Sequence, residues 1–274
     1  MLELPTVVPR IENRDWSKLS QGERIRQIEV EGYVLIPDVL SKTQVSNIKK
    51  QVSNLPTQSS PYSENQRGLS NIMFQGGDVA EIAAHPTIIS LLKSLLGEDI
   101  ICMSGSYART QPGHPGMVLH TDIGNELSPH SAVRVLFYLI DTTPEISPFR
   151  VLPRSNLSLH TDGNPYKRYL EHPDEVMVMP KAGSAIIITN KVFHGNYPNK
   201  SDKIREMIAY MYRPGWCAPT EHVEPWDPDE LSKLPKKVRE LFGDPNTKYG
   251  DFHNGSRPPN MAKVAPGISP NRWD

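Results

Sequence analysis

Residues 133–141, VRVLFYLID, form an apolar, β-rich segment that ends at an acidic turn residue. Similar segments recur from residue 99 onward and are separated by turns containing Pro, Gly, Asn and Asp. Seven of them can be placed, at 100–110, 117–120, 133–141, 149–152, 176–179, 184–189 and 205–212. Many short strands with turns between them are typical of a two-sheet jelly roll. The sequence therefore predicts a mainly β protein with flanking helices and a jelly-roll, cupin-like core over residues 99–216.

The first 98 residues carry mainly helix patterns. Serine caps open two amphipathic segments, 20–31 and 41–55, and Pro86 opens a third, 86–96. A short strand is predicted at 33–37. Between the helices, residues 56–77 are rich in Ser, Asn, Gln and Gly, and we interpret them as a surface loop in preference to a mobile lid.

The C-terminal part, 217–274, is rich in Pro, Asn and Gly apart from one helix pattern at 229–242. We interpret it as a tail that wraps the core. With no internal repeat in the chain, residues 1–274 are predicted to form a single domain.

Composition excludes several classes of partner. The chain has 274 residues, 30 basic and 31 acidic, and a net charge of -1, without a basic block for nucleic acid or anionic lipid. Its 2 cysteines, Cys102 and Cys217, form no CxxC motif, which favours a reducing compartment. No apolar run approaches the roughly 18 residues of a membrane span. We expect a soluble, cytoplasmic protein with a small-molecule substrate and no nucleic-acid or membrane partner.

The stretch 117–124, MVLHTDIG, places a histidine and an aspartate two residues apart. In an extended segment, His120 and Asp122 point to the same side and could bind one metal ion. An isolated pair of this kind arises by chance, so a third ligand is needed. His194, which follows the apolar stretch 185–188, is the best candidate. Two imidazoles and one carboxylate leave open positions, as in non-haem iron(II) oxygenases, although zinc fits the same ligands.

Arg205 separates these two possibilities. It begins the segment 205–212, which we expect to fold back antiparallel to the strand carrying His194 and to place the guanidinium inside the barrel. A buried arginine needs an anion, and its fork of donors matches a carboxylate. A dicarboxylate that binds iron at one end and Arg205 at the other fits this geometry, and 2-oxoglutarate is such a molecule.

Taken together, these motifs form a recognisable pattern over about residues 31–215. The further parts are EGYVLIP at 31–37, the helix that starts at His85-Pro86, FRVLPRS at 149–155 and KAGSA at 181–185. The chain resembles the phytanoyl-CoA hydroxylase (phytanoyl-CoA dioxygenase) family of iron(II)/2-oxoglutarate-dependent dioxygenases. The resemblance implies a double-stranded β-helix core, iron ligation by His120, Asp122 and His194, a 2-oxoglutarate salt bridge to Arg205, and O2 as co-substrate.

The pattern has two departures. Many relatives have Pro-Gly-Ser-His where this chain has PRSN at 153–156, and a hydroxyl residue often stands where this chain has Asn196. Neither departure involves the implied iron ligands, so the activity class is unaffected. The identity of the substrate, however, cannot be taken from the family. Asn196 is kept as a candidate cofactor-binding residue, together with Tyr107 and Gln111, which could hydrogen-bond 2-oxoglutarate. Arg134, Arg150 and Arg154 are candidates for binding an anionic substrate.

The predicted reaction is hydroxylation of an unactivated C–H bond in a small polar or anionic metabolite, with release of succinate and CO2. An aspartate at position 122 argues against halogenation, because halogenases that resemble this family have a small residue there. Desaturation, epoxidation and cyclisation use the same chemistry and stay open. A cupin-like metal-dependent hydrolase or isomerase is the alternative, although such an enzyme has no need for Arg205. A non-catalytic relative would be expected to have a damaged set of ligands.

Overall fold

The computed structural model describes residues 9–122, 132–157, 172–217, 223–243 and 245–246. Within these ranges the strands are β1 (Arg10–Ile11), β2 (Tyr33–Ile36), β3 (Gln58–Ser60), β4 (Ser63–Ser70), β5 (Ile100–Thr110), β6 (Met117–His120), β7 (Val133–Tyr138), β8 (Phe149–Leu152), β9 (Val176–Val178), β10 (Ala185–Thr189), β11 (Phe193–Asn196) and β12 (Arg205–Pro214). The helices are α1 (Gln21–Glu31), α2 (Lys42–Val52), α3 (Gly77–Glu81), α4 (Pro86–Leu96), α5 (Pro228–Ser232) and α6 (Lys236–Arg239).

These strands form two sheets. The smaller sheet has the order β1-β9-β8-β11-β6, and the larger has the order β2-β10-β7-β12-β5-β4-β3. All neighbours are antiparallel except β1 and β9, which are parallel. The predicted fold class, mainly β with flanking helices and a jelly-roll core, is confirmed.

The two faces of the large sheet have different neighbours. The hydroxyls of Tyr210 and Tyr212 donate to the backbone carbonyls of Val79 (2.6 Å) and Ala83 (2.7 Å), so the N-terminal helices cover this face. Successive residues of a strand point to opposite faces. Arg205, an odd number of residues before Tyr210 on β12, therefore points away from the helices. It faces the space between the two sheets, called the barrel interior below.

The predicted loop at 56–77 is wrong. β3 and β4 lie within this stretch, and β4 extends the large sheet by pairing with β5. Ser, Asn, Gln and Gly have weak β propensity, so local sequence did not indicate strands there, and the pairing with β5 decides the conformation. The first 98 residues are consequently less helical than predicted.

Two expectations around His194 also need correction. His194 does not end the strand at 185–189 but lies on β11, a separate strand of four residues. β12 is not the neighbour of that strand, since β12 pairs with β5 and β7 in the large sheet, whereas β11 pairs with β6 and β8 in the small one. The connection at 197–204 thus crosses between sheets, and Arg205 faces His194 across the barrel.

The prediction that residues 217–274 wrap the core stays a prediction, although the structure describes some of these residues. Residues 229–242 contain two short helices, α5 and α6, because Pro235 cannot continue a helix from Leu234. Leu234, Val238 and Phe242 join the main hydrophobic core. Most of the remaining predicted tail, including 247–274, lies outside the described residues.

One helical stretch, Gly77–Leu96, is long and apolar enough to cross a membrane by length and composition alone. Here it is a core element, since Val79 and Ala83 accept hydrogen bonds from the large sheet and Ile88 and Leu92 are fully buried. The predictions of a cytoplasmic location and of no membrane or nucleic-acid partner stay predictions.

Candidate functional site

The structure brings His120, Asp122 and His194 together at one edge of the small sheet. His120 and His194 are direct register partners on β6 and β11, and their ring centroids lie 4.4 Å apart. The Asp122 backbone N–H donates to the carbonyl of Asn190 (2.9 Å), which holds the segment just after β6 in place. One carboxylate oxygen lies 4.0 Å from His120 Nε2 and the other 3.6 Å from His194 Nε2. One ligand atom from each residue lies within 4.8 Å of the others, close to the spacing that one metal ion requires.

Both histidines are oriented in the same way. The Nδ1 atom of His120 lies 3.0 Å from the carbonyl oxygen of Val118, and Nδ1 of His194 lies 3.0 Å from that of Val192. When Nδ1 donates to a carbonyl, the lone pair is on Nε2. Burial lowers the pKa of His194 to about 4, so its imidazole is neutral at pH 7. The Nε2 atoms are therefore available to a metal ion.

Asp122 supplies the negative charge of the site. Burial by itself raises the pKa of this carboxyl group, but the neighbouring His194, Arg134 and His120 outweigh it, and the net pKa lies below its usual value. Oδ2 is buried and accepts no hydrogen bond from the described residues. Arg134 Nε lies 3.0 Å from Oδ2 without hydrogen-bond geometry, and a metal held by the three side chains would add the direct ligation that this buried, ionised oxygen lacks. The residues therefore fit a divalent metal of the iron or zinc type.

Arg205 lies in the barrel interior on the opposite sheet and is only 2% exposed. Its Nε and Nη2 donate to Thr110 Oγ1 (3.2 and 2.5 Å), its Nη1 lies 3.3 Å from Met207 Sδ, and its guanidinium is 5.9 Å from the ring centre of Tyr138. All of these partners are neutral. Within the described ranges no carboxylate forms an ion pair with Arg205, so the charge is left for a bound anion.

Further polar groups surround Arg205 that the sequence did not indicate. Thr110 donates to Gln66 Oε1 (2.7 Å), which brings β4 into the same pocket. The Tyr138 hydroxyl and His114 Nε2 are buried and have no hydrogen bond to the described residues. The charge of Arg205 contributes, after burial, to lowering the pKa of His114 to about 4, which indicates proximity. We name Gln66, Thr110, His114, Tyr138 and Arg205 the arginine pocket. Strand register, counted outward from Arg205, could have found Gln66, Thr110 and Tyr138, but not His114, which lies between β5 and β6.

Tyr107, Gln111 and Asn196 do not join the arginine pocket. The Tyr107 hydroxyl bonds to Glu206 on the helix-covered face of the large sheet. Gln111 lies one residue beyond β5, where its backbone bonds to Asn65 and His114. Asn196 does point into the barrel interior, two residues after His194, but its Nδ2 donates to Ser147 Oγ (2.7 Å) and the Tyr197 carbonyl (3.1 Å). Asn196 thus keeps a position from which a cofactor contact is geometrically reasonable, whereas Tyr107 does not.

The three candidate substrate arginines occupy different places. Arg150 is the register partner of Gly195, whereas His194 is that of Val151, so Arg150 lies on the outer face of the small sheet. There it is buried and forms an ion pair with Glu175.

Arg154 is exposed at the surface and binds Glu31, with Nη2 to Oε1 at 3.0 Å. Arg134 alone faces the metal ligands, with Nε 3.0 Å from Asp122 Oδ2. Arg150 and Arg154 are therefore corrected to structural ion pairs, because strand parity and an acidic partner direct them away from the metal ligands.

Gly195 controls the approach of the two strands that carry the histidines. A Cβ atom at this position would lie 2.4 Å from the Met117 carbonyl oxygen and 2.9 Å from that of Val118. Both atoms are backbone, so β6 and β11 would have to separate.

We expect Gly195→Ala to destabilise the protein by about 1–3 kcal/mol and to weaken metal binding, because His120 and His194 move apart. Thermal unfolding and Co(II) titration measure the two effects. Gly22→Ala is the matched control, because Gly22 lies at an exposed helix position with open space around it. It should leave the Co(II) affinity unchanged and the thermal stability unchanged or slightly higher. Wild-type Co(II) affinity in Gly195→Ala would contradict the expectation.

Among curated proteins, the chain is similar to the dioxygenase FUM3 of Gibberella moniliformis. The two are 28% identical over 152 residues, which are 51% of this chain and 48% of that protein. The chain spans about half the length of the curated relatives it matches.

Two solved structures are similar in fold. One is the epimerase SnoN in complex with Fe3+, alpha-ketoglutarate and nogalamycin RO, with a TM-score of 0.65, 17% identity, and coverage of 73% of this chain and 86% of that one. The other is the non-haem, alpha-ketoglutarate-dependent carbocyclase SnoK, with a TM-score of 0.64, 21% identity, and coverage of 77% and 89%. At these identities the likeness establishes the jelly-roll fold.

The family assignment comes from the sequence itself. Residues 28–207 match the family model described as phytanoyl-CoA dioxygenase (PhyH). The match includes His120, Asp122, His194 and Arg205, and it covers well over half of the 274 residues. The chain belongs to the phytanoyl-CoA dioxygenase family.

Proposed function

We propose that this protein is an iron(II)- and 2-oxoglutarate-dependent dioxygenase. One observation carries the proposal: three side chains that could bind a metal, at one edge of the small sheet, face a buried arginine on the large sheet that forms no ion pair with a described carboxylate. A metal site alone suits many reactions, but a guanidinium in the same barrel interior suits a cofactor with two acidic ends. The family match and the dioxygenase named among the relatives support the same activity.

Each group has a defined task in this proposal. His120, Asp122 and His194 would hold iron(II) and leave open positions for 2-oxoglutarate and oxygen, with the substrate bound beside the metal. Arg205 binds the distal carboxylate, Thr110 orients the guanidinium by accepting from its Nε and Nη2, and the Tyr138 hydroxyl and His114 Nε2 lie in the same pocket to complete the hydrogen bonds of the carboxylate. With 2-oxoglutarate and O2, iron supplies the oxidation, which releases succinate and CO2. The residues around it orient the reactants and keep water out.

The favoured reaction is hydroxylation of a C–H bond in a small polar or anionic metabolite. Arg134 is the candidate substrate arginine on the side of the candidate metal ligands, and its partly exposed guanidinium supports a substrate with an anionic group. Desaturation, epoxidation and cyclisation are the second candidates, and the similar folds of an epimerase and a carbocyclase favour keeping them. A zinc hydrolase or isomerase leaves Arg205 unexplained. We further propose that residues 1–274 act as a single catalytic domain, with Asn196 as an additional cofactor contact.

The cofactor assignment is tested without knowing the substrate. Anaerobic protein with iron(II) and 2-oxoglutarate should develop the weak visible charge-transfer band of the bound 2-oxoacid. Replacing 2-oxoglutarate with succinate, which has no keto group, should give no band and serves as the control. Absence of the band with 2-oxoglutarate would remove the basis of the proposal. Screening of candidate metabolites for succinate release and oxygen uptake then addresses the substrate.

A further inference from the structure

Arg134 occupies an unusual position in the barrel interior. It lies on β7 between two apolar register partners, Ile188 on β10 and Met211 on β12. Its side chain is 32% exposed, and Nη2 has only a long contact, 4.0 Å, to Met211 Sδ. Its ion-pair partner in the described part of the chain is Asp122, with Nε 3.0 Å from Oδ2. An apolar strand thus carries one guanidinium, which lies beside the carboxylate of the candidate metal site.

The three metal ligands differ in how they are held. Each histidine ring is fixed by a bond from Nδ1 to a nearby carbonyl, but Asp122 is held through its backbone N–H to Asn190, and its Oδ2 accepts no hydrogen bond from the described residues. A carboxylate rotates about its last side-chain torsion, which is soft and roughly two-fold. Among the described residues, Arg134 places its positive charge beside Oδ2 of Asp122. The guanidinium is therefore the group able to fix which way the carboxylate faces.

We infer that Arg134 is a positioning residue that holds the Asp122 carboxylate in the orientation from which it binds the metal ion. This inference rests on the proposed function, because it assumes that the three side chains bind a metal. Two effects of Arg134 on a metal oppose each other. Fixing the carboxylate favours binding, since less freedom is lost, whereas the positive charge repels a cation. Positioning predicts weaker metal binding when the guanidinium is removed, and repulsion predicts tighter binding.

The test compares Co(II) affinity among variants of the whole protein. Arg134→Met replaces the guanidinium with an apolar side chain suited to the strand, and we expect it to weaken Co(II) binding about 10- to 100-fold, the range typical of groups that orient metal ligands. Arg134→Lys, which keeps the charge, and Arg134→Gln, which keeps a hydrogen-bond donor, should each restore part of the loss. If Arg134→Met does not fold, the Lys and Gln variants decide by the same comparison with wild type.

A structural role would change other readouts. Positioning predicts that the metal-free variants unfold near the wild-type temperature and that 2-oxoglutarate binds their Co(II)-saturated form within about threefold of wild type. Arg154→Gln, which breaks a surface ion pair with Glu31, is the matched arginine control and should bind Co(II) as wild type does. Unchanged or tighter Co(II) binding in the variants overturns the inference. Failure of the wild-type protein to bind Co(II) overturns the proposed function instead.

Discussion

Replacing His194 with alanine should abolish metal-dependent turnover. The loss should exceed about 100-fold, which is the upper range for residues that only orient a ligand. His194 is buried, its pKa is lowered to about 4, and its Nδ1 is occupied by the Val192 carbonyl, so Nε2 faces the site with a free lone pair. Without it, the ion keeps His120 and Asp122, of which His120 is partly exposed. Two ligands do not hold a labile divalent metal against water.

The measurement separates metal loss from misfolding. Co(II) at about 100 times its Kd should stabilise the wild-type protein by about 2.7 kcal/mol against unfolding and should leave the His194→Ala protein unchanged. The matched control is His85→Ala, because His85 lies before α4 in the helical layer, on the other side of the large sheet. That variant should keep both the Co(II)-induced stabilisation and activity. An unaltered Co(II) response in His194→Ala would exclude this residue as a ligand.

The placement of the candidate metal ligands can largely be predicted from the sequence because it depends on short-range geometry. His120 and Asp122 follow an apolar strand with a spacing of two, and extended backbone makes such residues share a side. His194 was found because it follows an apolar strand, although that strand, β10, is not its own. Its pairing with His120 requires β11 to lie beside β6, and this long-range register cannot be derived from local periodicity.

For Arg205, strand alternation predicts correctly to which side the side chain points, but closeness in the sequence does not predict which strands lie side by side. Its inward orientation was expected correctly, but it was assigned to the strand next to His194. In this jelly roll, β10, β11 and β12 alternate between the two sheets, so the short connection at 197–204 is a crossing and not a hairpin. The same lack of register hid Gln66, since β4 has weak β propensity and becomes a strand through pairing with β5.

The crossing between sheets also has a functional consequence. If β12 were the neighbour of β11, Arg205 would lie beside the metal ligands, and the two ends of a bound dicarboxylate would compete for one edge of the sheet. On the opposite sheet, Arg205 instead faces His120, Asp122 and His194 across the barrel interior. A molecule that binds both must then span the interior, which fixes its orientation and selects for length.

Replacing Arg205 with alanine should therefore raise the 2-oxoglutarate requirement steeply. Truncating one partner of a buried charge pair costs about 2–5 kcal/mol, which corresponds to roughly a 30-fold or greater loss of affinity. Arg205 donates to Thr110 and lies against the Met207 sulfur and the Tyr138 ring, none of which carries charge. Its alanine variant loses the cation that would neutralise the distal carboxylate. Binding of 2-oxoglutarate to the Co(II)-loaded protein measures this directly, and Co(II) affinity itself should stay within about threefold of wild type.

The decisive comparison uses a 2-oxoacid without a distal carboxylate. Wild-type protein should bind 2-oxoglutarate at least about 30-fold more tightly than 2-oxobutyrate, because only 2-oxoglutarate has a distal carboxylate to pair with Arg205. Arg205→Ala removes the guanidinium and should therefore bring the two affinities close together. Arg109→Ala is the matched control, since Arg109 is the register partner of Glu206 and lies on the helix-covered face of the same sheet. It should keep the wild-type preference. If Arg205→Ala keeps the preference as well, the distal carboxylate binds elsewhere and the arginine pocket has another ligand.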